Sequence, residues 1–158
     1  MAKVLCIVRS STEAQEIESQ KKELIEFCKT KGFADSDMLF IEAQGASARS
    51  LNKLYLKMLE DIKSTILNDS EIMSVAVWAL NRLGRVESKL HEMKEFFVKN
   101  RIQVYCKDPS FSLLKEDGTE DTAGSMMFSV YAAMVRLNTE RMVTEMQRRK
   151  KRNAEIGK

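Results

Sequence analysis

The sequence predicts an α/β fold with a mostly parallel sheet of four to five strands, flanking helices and a long C-terminal helix. Short apolar runs alternate with segments of helical periodicity, which is the pattern of right-handed βαβ crossovers. The run at residues 72–80 is almost continuously apolar, as expected for a strand covered on both faces. Residues 123–152 contain no proline, and no glycine after Gly124, so they predict one helix of about 45 Å.

Length and composition are those of one ordinary globular domain. The chain has 158 residues, of which 44% are apolar and 31% charged, enough for a core without disulfides or metals. No apolar run is long enough to span a bilayer and no signal peptide is evident, so a cytoplasmic protein is expected. Cys6, Cys28 and Cys106 fall in apolar stretches and indicate buried, reduced thiols. His91 is the single histidine and has no paired Cys/His spacing, so no metal is expected.

The first strand leads through Arg9-Ser10-Ser11 into a helix. A helix N-terminus attracts anions through its unpaired N–H groups and its macrodipole. Thr12 and Gln15 fit a T-x-x-Q capping box, so Ser11 is not needed as the cap. Its hydroxyl, beside Arg9, is therefore a candidate nucleophile toward a bound phosphate. The alternative is that both serines are simple turn residues.

The first helix has an apolar stripe and ends near Gly32, a C-cap signal. Gln20 lies on nearly the same face, so its amide is expected to point inward, toward the strand ends; the alternative is a polar residue at the margin of the stripe. Residues 38–41 predict the second strand, and a loop of small residues that contains Arg49 follows. Ser50 then caps a helix with apolar residues at i, i+3, i+4 and i+7.

The third strand, residues 72–80, stops at the polar cluster Asn81-Arg82-Leu83-Gly84-Arg85. A single helical turn there would place the two arginines on one side. A further helix, a strand at residues 102–106 and a polar loop at residues 109–124 complete the sheet domain.

Several candidate side chains follow the first three strands and should meet at the carboxyl edge of the sheet, where parallel sheets bind ligands. They are Arg9, Ser11, Arg49, Arg82 and Arg85. Clustered guanidinium groups repel one another unless an anion lies between them, and their planar geometry matches phosphate oxygens. This edge therefore predicts a phosphate site.

The predicted terminal helix is apolar nearly all round in its first half and so needs cover on two sides. Its own sheet domain and a second subunit are the expected covers, and its methionines tolerate repacking; the alternative is burial by its own domain alone. The second half ends in the run Arg148-Arg149-Lys150-Lys151-Arg152. Such a run can neutralise DNA phosphates without reading sequence, or it serves solubility only.

Two motifs in this order resemble the catalytic domain of the serine recombinases, the resolvase, invertase and serine-integrase family. They are Arg9-x-Ser11-Thr12-x-x-Gln15 and Leu80-Asn81-Arg82-Leu83-Gly84-Arg85, and a long helix follows them. The resemblance runs from about Val4 to the chain end and implies a resolvase-like fold. It implies a nucleoid-associated, site-specific DNA recombinase whose Ser11 becomes linked to a 5′ phosphate, with no metal or nucleotide cofactor. The implied partners are double-stranded DNA and a homodimer that forms a tetramer in the active synapse.

The resemblance also implies roles for further residues. Arg9, Arg82 and Arg85 match the phosphate-binding arginines of the family, and Arg49 matches another. Gln20 stands where the family has an active-site glutamine. The family usually has aspartate at the position of Asn81, and an amide cannot act as an acid or a base.

Two other functions fit the same residues. One is a non-catalytic, dimeric α/β module that binds nucleic acid electrostatically. The other is a doubly wound domain that binds a phosphorylated small molecule, although the first turn lacks the glycines that wrap a pyrophosphate.

The predicted organisation has three parts. Residues 1–122 form the catalytic domain and residues 123–152 an oligomerisation helix with a basic end. Residues 153–158 form a tail toward a DNA-recognition domain of a longer polypeptide, because no helix-turn-helix or zinc ribbon is evident in this sequence.

Overall fold

The computed structural model describes residues 2–10, 14–44 and 53–156. Strands and α-helices alternate along these ranges as far as β4, and two short 3₁₀ turns lie at Asp35–Asp37 and Leu80–Arg82. The strands and α-helices are β1 (Lys3–Ser10), α1 (Ala14–Thr30), β2 (Met38–Gln44), α2 (Lys53–Asn68), β3 (Ile72–Val77), α3 (Glu87–Lys99), β4 (Gln103–Cys106), β5 (Phe111–Ser112) and α4 (Thr122–Ile156).

The five strands form one sheet in the order β2-β1-β3-β4-β5. β1 to β4 are parallel, and β5 pairs antiparallel with β4. The predicted α/β fold with a mostly parallel sheet is therefore confirmed. The chain moves outward from β1 to β2 and then returns to the other side of β1 as β3, which makes the carboxyl ends of β1 and β3 the switch point where ligands bind in such sheets.

The two faces of the sheet are covered by different helices because alternate residues of a strand point to opposite sides. On one face Val4, Cys6 and Val8 of β1 pack with residues of α1. On the other face the buried core is larger and includes residues of α2, α3 and α4. Its largest fully buried members are Leu5, Ile7, Tyr55, Ile62, Leu80, Leu83, Leu90, Met93, Phe97, Leu113 and Phe128.

The third strand is shorter than its apolar pattern predicts. β3 ends at Val77, and the chain then enters the 3₁₀ turn Leu80–Arg82. Leu80 is fully buried although it lies outside the strand. An apolar run in the sequence predicts that its residues are buried, but burial alone does not distinguish a strand from a buried turn.

The segment predicted as a polar loop at residues 109–124 has structure of its own. It contains β5, and Leu113 and Leu114 beyond it are buried. α4 then begins at Thr122, and Gly124 lies so close to the carbonyl oxygen of Ser112 that a Cβ would overlap it. The end of the sheet therefore packs directly on the start of the long helix.

α4 has 35 residues, which corresponds to a length of about 52 Å. One side of its first half is buried through Ser125, Phe128, Ala132 and Val135. Among its described side chains, the exposed large apolar ones are Met126, Met127, Val130, Met134, Leu137 and Met146. In the described ranges no helix is both long and apolar enough to cross a membrane.

The three cysteines are free and buried, as predicted. Cys6 of β1 and Cys28 of α1 lie with their sulfur atoms 3.7 Å apart. This thiol–thiol hydrogen bond and burial raise the pKa of Cys6, so its thiol stays protonated.

Candidate active site

Arg9, the penultimate residue of β1, has a buried side chain with an exposed fraction of only 6%. Its Nη2 donates a hydrogen bond to the carbonyl oxygen of Asn81 at 2.7 Å. Its Nε donates a longer one to the carbonyl oxygen of Arg82 at 3.4 Å. A guanidinium carries its donors in a planar fork, which suits two adjacent acceptors. The side chain therefore ties the end of β1 to the turn after β3.

The carbonyl oxygen of Arg9 accepts hydrogen bonds from two side chains. Gln20 Nε2 donates to it at 3.2 Å, and Arg82 Nη1 donates to it at 3.3 Å. Gln20 is buried and points to the strand ends, as its place on the helix stripe predicts. Arg9 and Arg82 thus bind each other's backbone, and this reciprocal pair anchors the peptide two residues before Ser11.

A second side chain, from α2, also binds the turn after β3. The hydroxyl of Tyr55 in α2 donates a hydrogen bond to the carbonyl oxygen of Leu83 at 2.9 Å. Tyr55 is fully buried, and this burial raises its pKa to about 12, against the opposing effect of the nearby Arg9 charge. The hydroxyl therefore remains a donor at any ordinary pH.

Gly84 follows at a φ of +131°, in the region that favours glycine. A Cβ on Gly84 would overlap the ring and hydroxyl of Tyr55. The turn after β3 and the tyrosine are therefore in direct backbone-to-ring contact.

Arg82 and Arg85 do not share a helical turn, so that expectation is wrong. The 3₁₀ turn ends at Arg82, and the positive φ of Gly84 redirects the chain before Arg85. The charges of both arginines nevertheless act on Tyr131 of α4. Burial raises the pKa of Tyr131, and Arg85 and Arg82 oppose that rise. The charges of both arginines therefore lie near Tyr131 of α4.

Asn81 contributes its backbone and also a buried side-chain oxygen. Its carbonyl accepts the bond from Arg9, and its Oδ1 is buried with no hydrogen-bond partner among the described residues. An unsatisfied buried acceptor costs about 1–3 kcal/mol. The described residues therefore leave the Asn81 side-chain oxygen unsatisfied.

Two of the predicted site residues, Ser11 and Arg49, lie outside the described residues, as do the predicted helix caps Thr12 and Ser50. In the sequence Ser11 directly follows the last residue of β1, and Arg49 lies between β2 and α2. The described members of the predicted site, Arg9, Gln20, Asn81, Arg82 and Arg85, all lie at the carboxyl ends of β1 and β3 or face them.

The basic run at residues 148–152 is a separate feature. All five side chains are exposed on the last turns of α4. Arg148 is 17 residues beyond Tyr131, or about 25 Å along the helix axis. The basic run therefore does not join the arginines at the sheet edge.

Comparisons with known proteins identify the family of this chain. The sequence model of the family described as "Resolvase, N terminal domain" matches residues 4–158. The chain belongs to this family. A comparison with curated protein sequences finds no match.

Two solved structures show how this resolvase-family domain folds. The N-terminal catalytic domain of TP901-1 integrase is 24% identical with a TM-score of 0.63, over 87% of this chain and 97% of that one. A resolvase family site-specific recombinase from Streptococcus pneumoniae is 22% identical with a TM-score of 0.58, over 96% of this chain and 99% of that one. At these identities the likeness concerns the fold.

Sequence reasoning assigned no role to two further residues of the candidate site, Tyr55 and Gly84. In the sequence, Tyr55 is one position of the apolar stripe of α2. A signal for its role does exist, because a buried tyrosine hydroxyl needs a hydrogen-bond partner. Gly84 stands between two arginines, where a glycine indicates a backbone conformation that other residues avoid.

Proposed function

We propose that this resolvase-family domain cleaves and rejoins DNA through a covalent bond between Ser11 and a 5′ phosphate. The observation that carries the proposal is the reciprocal hydrogen bonding of Arg9 and Arg82. It gathers two guanidinium groups at the carboxyl end of β1, and Ser11 comes next in the sequence after that strand. Arg49, Arg85 and Gln20 complete the proposed site.

The proposed reaction exchanges one phosphate ester for another. The Ser11 Oγ attacks phosphorus and loses its proton, while the bond from phosphorus to O3′ breaks and O3′ gains a proton. Because the phosphoserine conserves the ester bond, attack by a 3′ hydroxyl reverses the step without a nucleotide. Rejoining to a different strand gives recombination.

The arginines are proposed to accelerate the cleavage step by stabilising charge in its transition state. A serine hydroxyl is a weak nucleophile at neutral pH, and Asn81 cannot accept its proton because an amide is not a base. Guanidinium groups held at fixed positions stabilise the charge that develops on the phosphate oxygens and on O3′. Removing one such donor typically costs about 3 kcal/mol of barrier.

The proposed partners are double-stranded DNA and a second copy of the chain. The exposed apolar side chains of α4, among them Met126, Val130 and Met134, would pair with the same face in a homodimer. Two such dimers would form a tetramer in the active synapse. The basic run at residues 148–152 would neutralise DNA phosphates without reading sequence.

A covalent-capture experiment tests the proposal. The protein is incubated with a random-sequence duplex library, denatured, and analysed for DNA-linked protein on a gel and for the modified peptide by mass spectrometry. The adduct is expected on Ser11 and is lost in Ser11→Ala, whereas the neighbouring control Ser10→Ala keeps it.

Other outcomes assign other functions. An adduct that persists in Ser11→Ala removes Ser11 from the proposed role. Salt-sensitive DNA binding without any adduct supports a non-catalytic module, and tight binding of a nucleotide or sugar phosphate supports a small-molecule site.

A further inference from the structure

The turn after β3 is short and needs external support. Its own backbone bonds are Arg82 N to Ala79 O, Leu83 N to Leu80 O and Gly84 N to Asn81 O, at 3.0, 2.9 and 3.2 Å. A single 3₁₀ turn has poor hydrogen-bond geometry and gains little stability from its own bonds. The position of the arginines on this turn therefore depends on what holds the turn from outside.

Three successive carbonyl groups of the turn accept bonds from side chains of other elements. Arg9 of β1 binds the carbonyls of Asn81 and Arg82, and Tyr55 of α2 binds that of Leu83. The bond from Tyr55 is the one made by a neutral, fully buried donor, with a length of 2.9 Å. It joins the turn to the helix beneath it, immediately after Arg82.

The backbone at Gly84 also fits closely against the tyrosine. A Cβ at this position would overlap the Tyr55 hydroxyl and ring. The turn can therefore approach α2 only because residue 84 is glycine, and this approach brings the Leu83 carbonyl within reach of the hydroxyl.

We propose that Tyr55 is a positioning residue whose hydroxyl holds the turn carrying Arg82 and Arg85 in register with Arg9. The inference rests on the proposed function, because it assigns these arginines to the cleavage step. Tyr55 does not touch DNA in this proposal; it acts through the Leu83 carbonyl.

Tyr55→Phe separates positioning from packing, since it removes the hydroxyl and keeps the ring. Single-turnover cleavage of the captured library DNA is expected to fall about tenfold at saturating DNA, while the dissociation constant for the same DNA stays unchanged. The control is Ile62→Val, which removes one methyl group from a fully buried side chain of the same helix. It is expected to lower stability and leave the cleavage rate unchanged, at a temperature where both variants are folded.

Hydrogen exchange gives a second readout that does not depend on activity. Tyr55→Phe should raise exchange at the amides of Arg82, Leu83 and Gly84 about tenfold relative to Ile62→Val. Unchanged exchange overturns the inference, and so does an unchanged cleavage rate or a loss of rate that Ile62→Val reproduces. If the unaltered protein forms no Ser11 adduct while exchange at the turn still rises in Tyr55→Phe, the tyrosine holds the turn as described and the proposed function is what fails.

Discussion

Arg9 in β1 and Arg149 in α4 carry the same charged group in opposite surroundings. Arg9 is 6% exposed and donates to two backbone carbonyls, whereas Arg149 is exposed within a run of five basic residues. A buried guanidinium acts through the geometry of its hydrogen bonds, because its planar fork of donors has to match the positions of the acceptors. An exposed one acts through the total charge around it, which salt screens. Substitutions should therefore have large effects at the sheet edge and small ones on the helix end.

The largest expected effect is that of Arg9→Lys. Lysine keeps the charge, but its ammonium group cannot bind two adjacent carbonyls in a planar fork. We expect the rate of Ser11 adduct formation to fall about 100- to 1000-fold, as measured by single-turnover cleavage. Arg149→Lys is the matched control and should leave the rate unchanged. Equal rates for Arg9→Lys and the unaltered protein would mean that charge alone matters at the sheet edge.

The second prediction compares two glycines that both have a positive φ. Gly84 faces Tyr55, whereas Gly32, at a φ of +92°, has nothing within 4 Å of the position of its Cβ. Gly32→Ala should cost about 1 kcal/mol of unfolding free energy, from backbone strain alone. Gly84→Ala adds a steric overlap and should cost about 3 kcal/mol or more.

Urea denaturation of the two glycine variants gives this difference directly. Equal losses of unfolding free energy in the two variants would show that the turn after β3 can move away from α2 without an energetic cost. The contact with Tyr55 would then contribute nothing to the position of the turn.

The third prediction concerns alkaline pH and Tyr55. Burial raises its pKa from 10.0 to about 12 in the folded protein, so the neutral form favours folding. The contribution of neutral Tyr55 to the free energy of unfolding is complete below pH 10 and is lost as the pH rises toward 12. The unaltered protein should therefore lose up to about 3 kcal/mol relative to Tyr55→Phe over this interval.

Chemical denaturation of both proteins at several pH values measures this loss. Tyr105 and Tyr131, whose pKa values are also raised by burial, are present in both proteins and cancel in the comparison. Parallel curves for the two proteins would contradict the prediction.

The fourth prediction tests the exposed apolar face of α4. Val130 is 54% exposed, and Val130→Glu should raise the dissociation constant of a homodimer at least about tenfold, or about 1.4 kcal/mol, because the charge would be buried in the pair. Met73→Glu is the control, because Met73 is a similarly exposed apolar residue on β3. Sedimentation velocity measures both variants, and an equal effect of the two would place the interface elsewhere.

The fold could be predicted from the sequence where a pattern repeats. Alternating apolar runs and helical stripes predicted the parallel sheet, because each pattern reports which face is buried. The absence of proline, and of glycine after Gly124, predicted α4. The end of β3 and the structure within residues 109–124 could not be predicted in this way. Leu80 is buried in the turn after β3, and its apolar character does not show that the backbone has left the strand. Leu113 is buried within a segment whose polar composition predicted a loop.

The candidate site could be predicted in part for a similar reason. Arg9 and Arg82 stand out because they are charged residues directly after apolar strands. The role of Tyr55 depends on which carbonyl lies above its hydroxyl, and this follows from the packing of α2 against the turn, which has no local signature. Asn81 was chosen for its side chain, but its described hydrogen bond is made through its backbone carbonyl.

The smallest expected effect is that of Arg149→Gln on DNA binding. If residues 148–152 act only through total charge, losing one of the five should lower the slope of log K against log salt by about 0.9. Lys99→Gln is the control, since Lys99 is exposed on α3, outside the basic run. Binding of a labelled random-sequence duplex, titrated at several salt concentrations, measures both slopes. A loss of affinity without a change in slope would mean that Arg149, like Arg9, makes a specific contact, and the contrast between the two regions would no longer hold.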